Sequence, residues 1–427
     1  MSELSTTVNR SNPPRTARIR VSVMSGRQSQ AVVAVTLFVT ALGIYNISAL
    51  LVGRTHSPNA AYFQYLADAF LHGRLYVVNT PSVNDLTLYA GQWYVGFPPL
   101  AALLLLPWVA VSGINGVNTV FFGALVGATS VALVFLTLQA LARREWTRLS
   151  QTDNIWLTVL FGLGSVHWYM STMGAVWFLG QICAVPFMLL GVLAAMNWGS
   201  AFWSGSALAV AMLSRPHLAF CYPVFAGIAF QRMVDERRVD WRRCVKWVVT
   251  SAIPIAVIVA LMLGYNYARF HKLSDFGYMT MNVDEQVLGD LHQYGQFGLH
   301  YVLHNFWTMF LEGPDWNPAT GRFVPDLNGM SIFLTTPALL CLVRIRKRRP
   351  FVIGAGLAVL SMVALLLMYY NTGWVQFGNR FSLDFMVPML LLLAVAAEET
   401  HRVTMRVLIV LGVIINAWGV WWFRFFA

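Results

Sequence analysis

Eleven apolar stretches recur along the chain, each bounded by polar or basic residues. They cover residues 31–52, 117–141, 154–171, 176–197, 201–214, 216–230, 247–265, 330–343, 351–370, 383–397 and 406–422. A bilayer core about 30 Å thick takes roughly 20 helical residues, so the pattern predicts an all-α polytopic membrane protein with about 11 transmembrane helices. A further apolar run, residues 98–111, is short for a span. Two long segments break the apolar pattern, residues 53–116 and 266–329, and both are rich in polar and aromatic residues.

The basic residues orient this pattern. Arg10, Arg15, Arg18, Arg20 and Arg27 precede the first span, and further clusters lie at Arg143–Arg148, Arg232–Lys246, Arg344–Arg349 and Arg402–Arg406, together 21 of the 29 Lys and Arg residues. If residues 98–111 crossed the bilayer, the clusters that follow them would face outward. If they do not, every cluster shares the cytoplasmic side with the first. The run is therefore expected to be an interfacial or re-entrant helix on the outer side. Residues 1–30 are expected to form a disordered basic cytoplasmic tail, followed by an uncleaved anchor. Residues 31–427 are expected to form one transmembrane domain in the plasma membrane, with the C-terminus outside.

Composition agrees. The 427 residues are 57% hydrophobic and 11% charged, with mean hydropathy +0.60, where a soluble chain carries roughly 25% charged residues. The net charge of +11 follows the positive-inside pattern, so no nucleic-acid partner is expected. Four cysteines without CxxC or His–Cys spacing suggest neither a disulfide framework nor a metal site. No cofactor is predicted, and a divalent metal is left open.

The first loop carries the candidate chemistry. Ser57 and Pro58 suit a helix start and Gly73 a helix end. Between them Tyr62, Phe63, Leu66, Ala69 and Phe70 form an apolar face, and Gln64, Asp68 and His72 a polar stripe. This predicts an amphipathic surface helix. Asp68 and His72 read as a solvated ion pair or as site residues. Residues 88–94 predict a hairpin turning at Ala90-Gly91-Gln92, preceded by Asp85. A carboxylate there is either a general base on a hydroxyl or a turn-forming Asp.

At these residues the chain resembles the GT-C superfamily of membrane glycosyltransferases, in its protein-mannosyltransferase, aminoarabinose-transferase and Rgt-like branches. The resemblance rests on Tyr62, Ala67 and Gly73, then Tyr89-Ala90-Gly91-Gln92-Trp93-Tyr94, then Pro98-Pro99-Leu100. Weaker matches are Arg215-Pro216, which looks like a basic residue near a lipid phosphate, and Phe377-Gly378-Asn379-Arg380-Phe381 before a late span. The resemblance is fairly specific over residues 55–110 and faint elsewhere. It implies a GT-C-like fold and transfer of a sugar from a polyprenyl-phosphate carrier to a glycan, lipid or protein acceptor on the outer face. Members commonly carry acids just after the first span and in the next outer loop. Here those places read His56-Ser57-Pro58-Asn59 and Ser171-Thr172-Met173-Gly174, without an acid.

The base therefore falls to Asp85, with Asp68 second. Arg215 and Arg380 would hold the phosphate, because the guanidinium fork matches phosphate oxygens. His217 would assist, with His72, Tyr89 and Tyr94 as further substrate-binding candidates. Arg380 has an alternative partner in Asp384, one helical turn on. His167, Trp168 and Tyr169 read as an aromatic belt or a sugar shelf. The second loop, with Asp275, Asp284, Glu285, Asp290, Glu312, Asp315 and Asp326 and with Tyr278, Tyr294, Tyr301, Trp307 and Trp316, reads as a sugar-binding cover over the site or, favoured for any single acid, as a solvated loop packed on the first. Two rival functions remain open: a transporter or flippase for a lipid-linked substrate, which would need ionisable groups deep in its spans, and a catalytically inactive GT-C-like scaffold of envelope assembly.

Overall fold

The computed structural model describes residues 15–198, 200–283 and 285–426. It is an all-α polytopic membrane fold. Helix α1 (Arg15–Leu51) leads into the first loop, which holds α2 (Tyr62–Leu71), the hairpin β1 (Leu86–Tyr89) and β2 (Gln92–Val95), and α3 (Leu100–Ser112). The bundle continues with α4 (Thr119–Arg143), α5 (Gln151–Leu163), α6 (His167–Met170), α7 (Val176–Ile182), α8 (Ala184–Leu193), α9 (Ala201–Met212), α10 (Tyr222–Asp235) and α11 (Trp241–Phe270). The second loop holds α12 (Glu285–Tyr294), α13 (Val302–Phe310) and a small hairpin, β3 (Asp315–Asn317) with β4 (Arg322–Val324). Then follow α14 (Ile332–Thr335), α15 (Pro350–Leu367), α16 (Met386–Glu398) and α17 (Arg402–Trp422).

Seven helical segments among the described residues are long and apolar enough to cross a bilayer. The other four predicted spans are shorter or broken. Residues 154–171 divide at Gly164 into α5 and α6. Residues 330–343 become α14 and a 3-10 turn over Pro337–Arg344, because Pro337 cannot donate to a continuing helix. Helix α1 starts at Arg15, inside the stretch expected to be disordered, and residues 1–14 lie outside the described residues.

Small residues let the spans approach closely, as is usual where lipid supplies no hydrophobic drive between helices. A Cβ on Gly227 of α10 would lie 2.9 Å from Gly354 of α15, and one on Gly205 of α9 would meet the Ser251 carbonyl oxygen of α11 at 2.0 Å. Caps set the helix starts. Asn118 accepts from the Val120 and Phe121 amides, and Ser150 with Asp153 forms a reciprocal capping box.

The first loop packs as one unit on an end of the bundle. Tyr62, Phe63 and Leu66 of α2 share a buried cluster with Leu100 and Leu105 of α3 and with Leu179 of α7. At 13 residues and about 1.5 Å rise each, α3 reaches roughly 20 Å, too short to cross. Gly73 (φ +66) closes α2 as anticipated: the Arg74 amide bonds to the Ala69 carbonyl and the Gly73 amide to Phe70. Ser57 does not cap it. Its hydroxyl instead donates to the Val117 carbonyl (3.1 Å) and accepts from the Thr119 amide (2.9 Å), tying the loop's entry to α4. The hairpin turns through Ala90 (φ +49) and Gly91 (φ +78) with Tyr89 opposite Gln92, the two left-handed residues of a two-residue hairpin.

The second loop is stitched to the first. The Asp85 amide donates to Asn282 (2.8 Å), the Asn282 amide to Leu86 (2.8 Å), and the Thr87 hydroxyl to Gly277 (2.8 Å). The two long loops thus form one cap on one face of the bundle, the loop face. The basic turns lie on the opposite face, where Lys347 pairs with Glu398, and Arg402 and Arg406 flank Asp153.

Candidate functional site

Three chain turns meet beneath the loop cap. The first is the turn between α9 and α10, where Arg215 precedes a short 3-10 segment beginning at Pro216. Arg215 Nη2 donates to Asp384 Oδ2 at 2.8 Å, and His217 Nε2 lies 2.9 Å from the same oxygen. Gln181 of α7 donates to Asp384 Oδ1 at 3.2 Å. The Asp384 side chain is 2% exposed, so its charge is desolvated. A buried carboxylate persists only when paired and hydrogen-bonded. The residue expected as an alternative partner of Arg380 therefore pairs with Arg215 and His217 instead.

The second turn, residues 371–380, presents Arg380 at the start of a 3-10 segment that runs into α16. Gln376 organises it. Its Oε1 accepts from the Arg380 amide (2.8 Å), and its Nε2 donates to Asn328 (2.6 Å) and Thr372 (2.7 Å). Val375 sits at φ +54, a strained conformation for a β-branched residue. Gly373 (φ +103) leaves room for the guanidinium: a Cβ there would stand 2.9 Å from Arg380 Nε. The guanidinium packs over the rings of Phe381 (5.3 Å) and Phe178 (5.6 Å). Among the described residues no carboxylate pairs with it, and its Nε is buried without a partner.

The third turn brings Asp85, at φ +60. Its Oδ2 accepts from Trp177 Nε1 of α7 (2.8 Å) and from Asn84 Nδ2 (3.4 Å). Burial pushes its carboxyl above the usual carboxylate range, while the Trp177 hydrogen bond and the charge of Arg380 hold it down. Tyr278, from the second loop, feels the charges of both Arg215 and Asp85. With Arg215, His217, Phe276, Phe297 and Tyr369 it lines a cavity of about 170 Å³. Asp85 and Arg380 do not line this cavity; charge links them to it, Arg380 acting on Asp85 and Asp85 on Tyr278.

The remaining candidates lie elsewhere. Asp68 pairs with Arg74 (3.1 Å) and lies 3.4 Å from His72, and neither lines the cavity; Gln64, expected on the same polar stripe, is buried and accepts from Ser57 instead. Tyr89 and Tyr94 pack edge-on against Phe270 at the end of α11, and Tyr94 donates to Gln92. His167 and Tyr169 are fully buried in the bundle, and Trp168 donates to Ser48. They form neither a lipid belt nor an open shelf. Asn59 is exposed, whereas Ser171 and Thr172 turn their hydroxyls onto helix carbonyls. Asp284 lies outside the described residues, and Asp315 and Asp326 face each other on the β3–β4 hairpin. No metal-ligating cluster occurs among the described residues.

The sequence reading did not single out Trp177, Gln181 or the role of Asp384, and it met Tyr278 only as one of the second loop's aromatic residues. For Asp384 a signal was present, since it is the only acid in the apolar run 383–397 and an ionisable residue inside a span is functional by default. The others become visible only when α7 and the second loop are brought against the first.

No family model and no curated protein matches the chain. Among solved structures the chain is similar to ArnT from Cupriavidus metallidurans bound to undecaprenyl phosphate, at 16% identity and TM-score 0.48, covering 86% of this chain and 60% of that one. It is also similar to the same protein in the apo state, at 14% identity and TM-score 0.48, covering 90% and 61%. The chain thus spans about 60% of the length of these structures. The chemistry of the site rests on its own residues.

Proposed function

We propose that the chain is a GT-C-like glycosyltransferase that moves a sugar from a polyprenyl-phosphate carrier to an acceptor hydroxyl at the outer face of the membrane. The observation that carries the reading is the buried guanidinium of Arg380. It forms no ion pair among the described residues, and the charges of the half-buried Asp85 and of Arg215 reach it. A buried cation that no carboxylate contacts is costly; the Asp85 charge offsets part of that cost, and an anionic ligand would offset more. The carrier class comes from the resemblance over residues 55–110, and undecaprenyl phosphate, named in the ArnT structure, is of the same class.

In this reading Asp85 takes the acceptor's hydroxyl proton as the acceptor oxygen bonds to the anomeric carbon. The bond from that carbon to the phosphate oxygen breaks on the opposite side, its electron pair leaving with the lipid phosphate. The anomeric configuration inverts. The Arg380 guanidinium and the Arg215 N–H groups not used by Asp384 take up the charge that develops on the leaving phosphate. Lipid phosphate is a good leaving group, so no strong general acid is required. The raised Asp85 carboxyl is a stronger base than an exposed one, and base catalysis of this kind contributes about 10²–10⁴-fold.

The test is sugar transfer in membranes supplied with polyprenyl-phosphate sugars. Asp85→Asn should lose about 10²–10⁴-fold in rate, while Asp68→Asn should stay near the unmutated rate. Full activity of Asp85→Asn would remove the base assignment. Uptake of the sugar lipid into vesicles without any transfer would favour a transporter.

A further inference from the structure

Helix α13 in the second loop turns Asn305, Thr308 and Met309 inward and Leu303, His304, Phe306 and Trp307 outward. Asn305 and Thr308 are buried, at 6% and 2% exposure, while Leu303 is 82% exposed and Trp307 54%. Leu299 before the helix (82%) and Leu311 after it (55%) extend the same stripe, since positions 299, 303, 307 and 311 fall on one helical face.

The helix is held in this orientation. Asn305 Nδ2 donates to the carbonyls of Leu366 (3.4 Å), Leu367 (3.0 Å) and Tyr369 (2.7 Å) around the end of α15, where helix carbonyls run out of intrahelical donors. The Gly298 amide donates to Met368 (2.8 Å) and the Tyr370 amide to Gln296 (3.1 Å). Helix α15 itself exposes Ile353, Leu357 and Leu360 at 51%, 53% and 67%, the stripe a bilayer span turns to lipid. The outward face of α13 is bolted to the loop-face end of that span.

We propose that α13 is an interfacial helix seated in the lipid leaflet on the loop face, its stripe from Leu299 to Leu311 covered by acyl chains rather than by water or protein. Attachment to the end of α15, a span that exposes apolar residues, selects the bilayer as occupant, and a Trp at the boundary suits an interfacial position. Phe297, at the foot of this helix, also lines the cavity of Arg215, so one cavity wall would stand at leaflet depth. The solvated reading of the second loop would then fail for this helix, while the β3–β4 hairpin, with Asp315 and Arg322, keeps it.

Spin labelling of the full chain in phosphatidylcholine–phosphatidylglycerol nanodiscs tests this. The background is Cys244→Ser, since the other three cysteines are buried. Labels go at Leu299→Cys and Leu303→Cys, with Ala319→Cys on the β3–β4 connection as the aqueous control. Collision with oxygen should exceed collision with a polar nickel chelate several-fold at 299 and 303, and the ratio should reverse at 319. Nickel access at 299 and 303 matching that at 319 would overturn the proposal in favour of a solvated helix. Exclusion of both reagents, with disulfide-linked dimers on oxidation of Leu303→Cys, would overturn it in favour of a second copy.

Discussion

The turn at Arg215 and the turn at Arg380 set two guanidiniums beneath the same cap and treat them differently. Arg215 is neutralised within the protein by Asp384, with His217 and Gln181 completing the carboxylate's hydrogen bonds. Arg380 is held by ring faces and by a backbone that Gln376 and Gly373 shape around it, and it meets no carboxylate. The first arrangement costs desolvation and returns it through geometry, which is how a buried charge becomes part of a scaffold. The second leaves the cost standing, which is how a site keeps affinity for an anion it has yet to bind. The two turns teach that basic character alone does not say how much of a cation's charge is left for a phosphate, most of it at Arg380 and only the N–H groups free of Asp384 at Arg215. The accounting of each cation's partners does.

The comparison breaks most visibly at Asp384. Asp384→Ala leaves the partly exposed Arg215 and His217 against an empty position, and the loss should cost up to about 3–5 kcal/mol, the range for breaking a fully buried pair. Thermal unfolding of the purified protein in detergent should show this as a large drop in midpoint. An unchanged midpoint would mean that the Arg215 turn is not a scaffold.

Arg380→Gln should behave oppositely. Transfer should fall about 10²–10³-fold, or about 2.7–4 kcal/mol of transition-state stabilisation, while the unfolding midpoint stays level or rises because a buried unpaired charge has gone. The paired measurement is kcat/KM and melting on one preparation. A variant that melts early but keeps its residual rate per folded molecule would move Arg380 into the scaffold beside Arg215 and erase the contrast.

The contrast also marks how far the sequence could be read. Spans are legible because lipid imposes length and apolarity on a contiguous segment, so every predicted apolar run is helical at least in part, with residues 154–171 and 330–343 broken, and shortness with charge asymmetry placed residues 98–111 as a non-spanning helix. Gly73 and the Ala90-Gly91 turn were legible because a left-handed backbone selects its residues locally. Ser57 misled because a hydroxyl before a helix has other carbonyls to reach, here Val117. Arg215 and Arg380 could be nominated, but not told apart, because the distinction depends on an acid 169 residues from Arg215 in sequence and on the ring faces around Arg380. Asp68 and Asp85 looked alike for the same reason. One sits beside Arg74 on the surface, and the other is tied to Trp177 on a helix 92 residues away. Pairing across the bundle is a tertiary fact, and a linear pattern does not contain it.

The smallest expected effect probes whether Arg380 and Asp85 act as one unit. Asp85 works as a base only when deprotonated, so transfer should fall as pH drops through its carboxyl. Burial has raised that value, which places the acid limb of the rate profile above the ordinary carboxylate range. The Trp177 N–H and the Arg380 charge both favour the ionised form. Removing either should raise the carboxyl further and move the limb to higher pH, never lower. Trp177→Phe keeps the ring and deletes the donor. A hydrogen bond to a charged group is worth about 1.5–3 kcal/mol, or roughly 1–2 pH units at 1.36 kcal/mol each. The limb should shift alkaline by up to that amount, with the rate recovering on the plateau above it, and Arg380→Gln should shift it in the same direction on top of its loss of rate. A limb that stays in place in Trp177→Phe would detach Asp85 from proton transfer and leave Arg380 as an anion site without a base beside it.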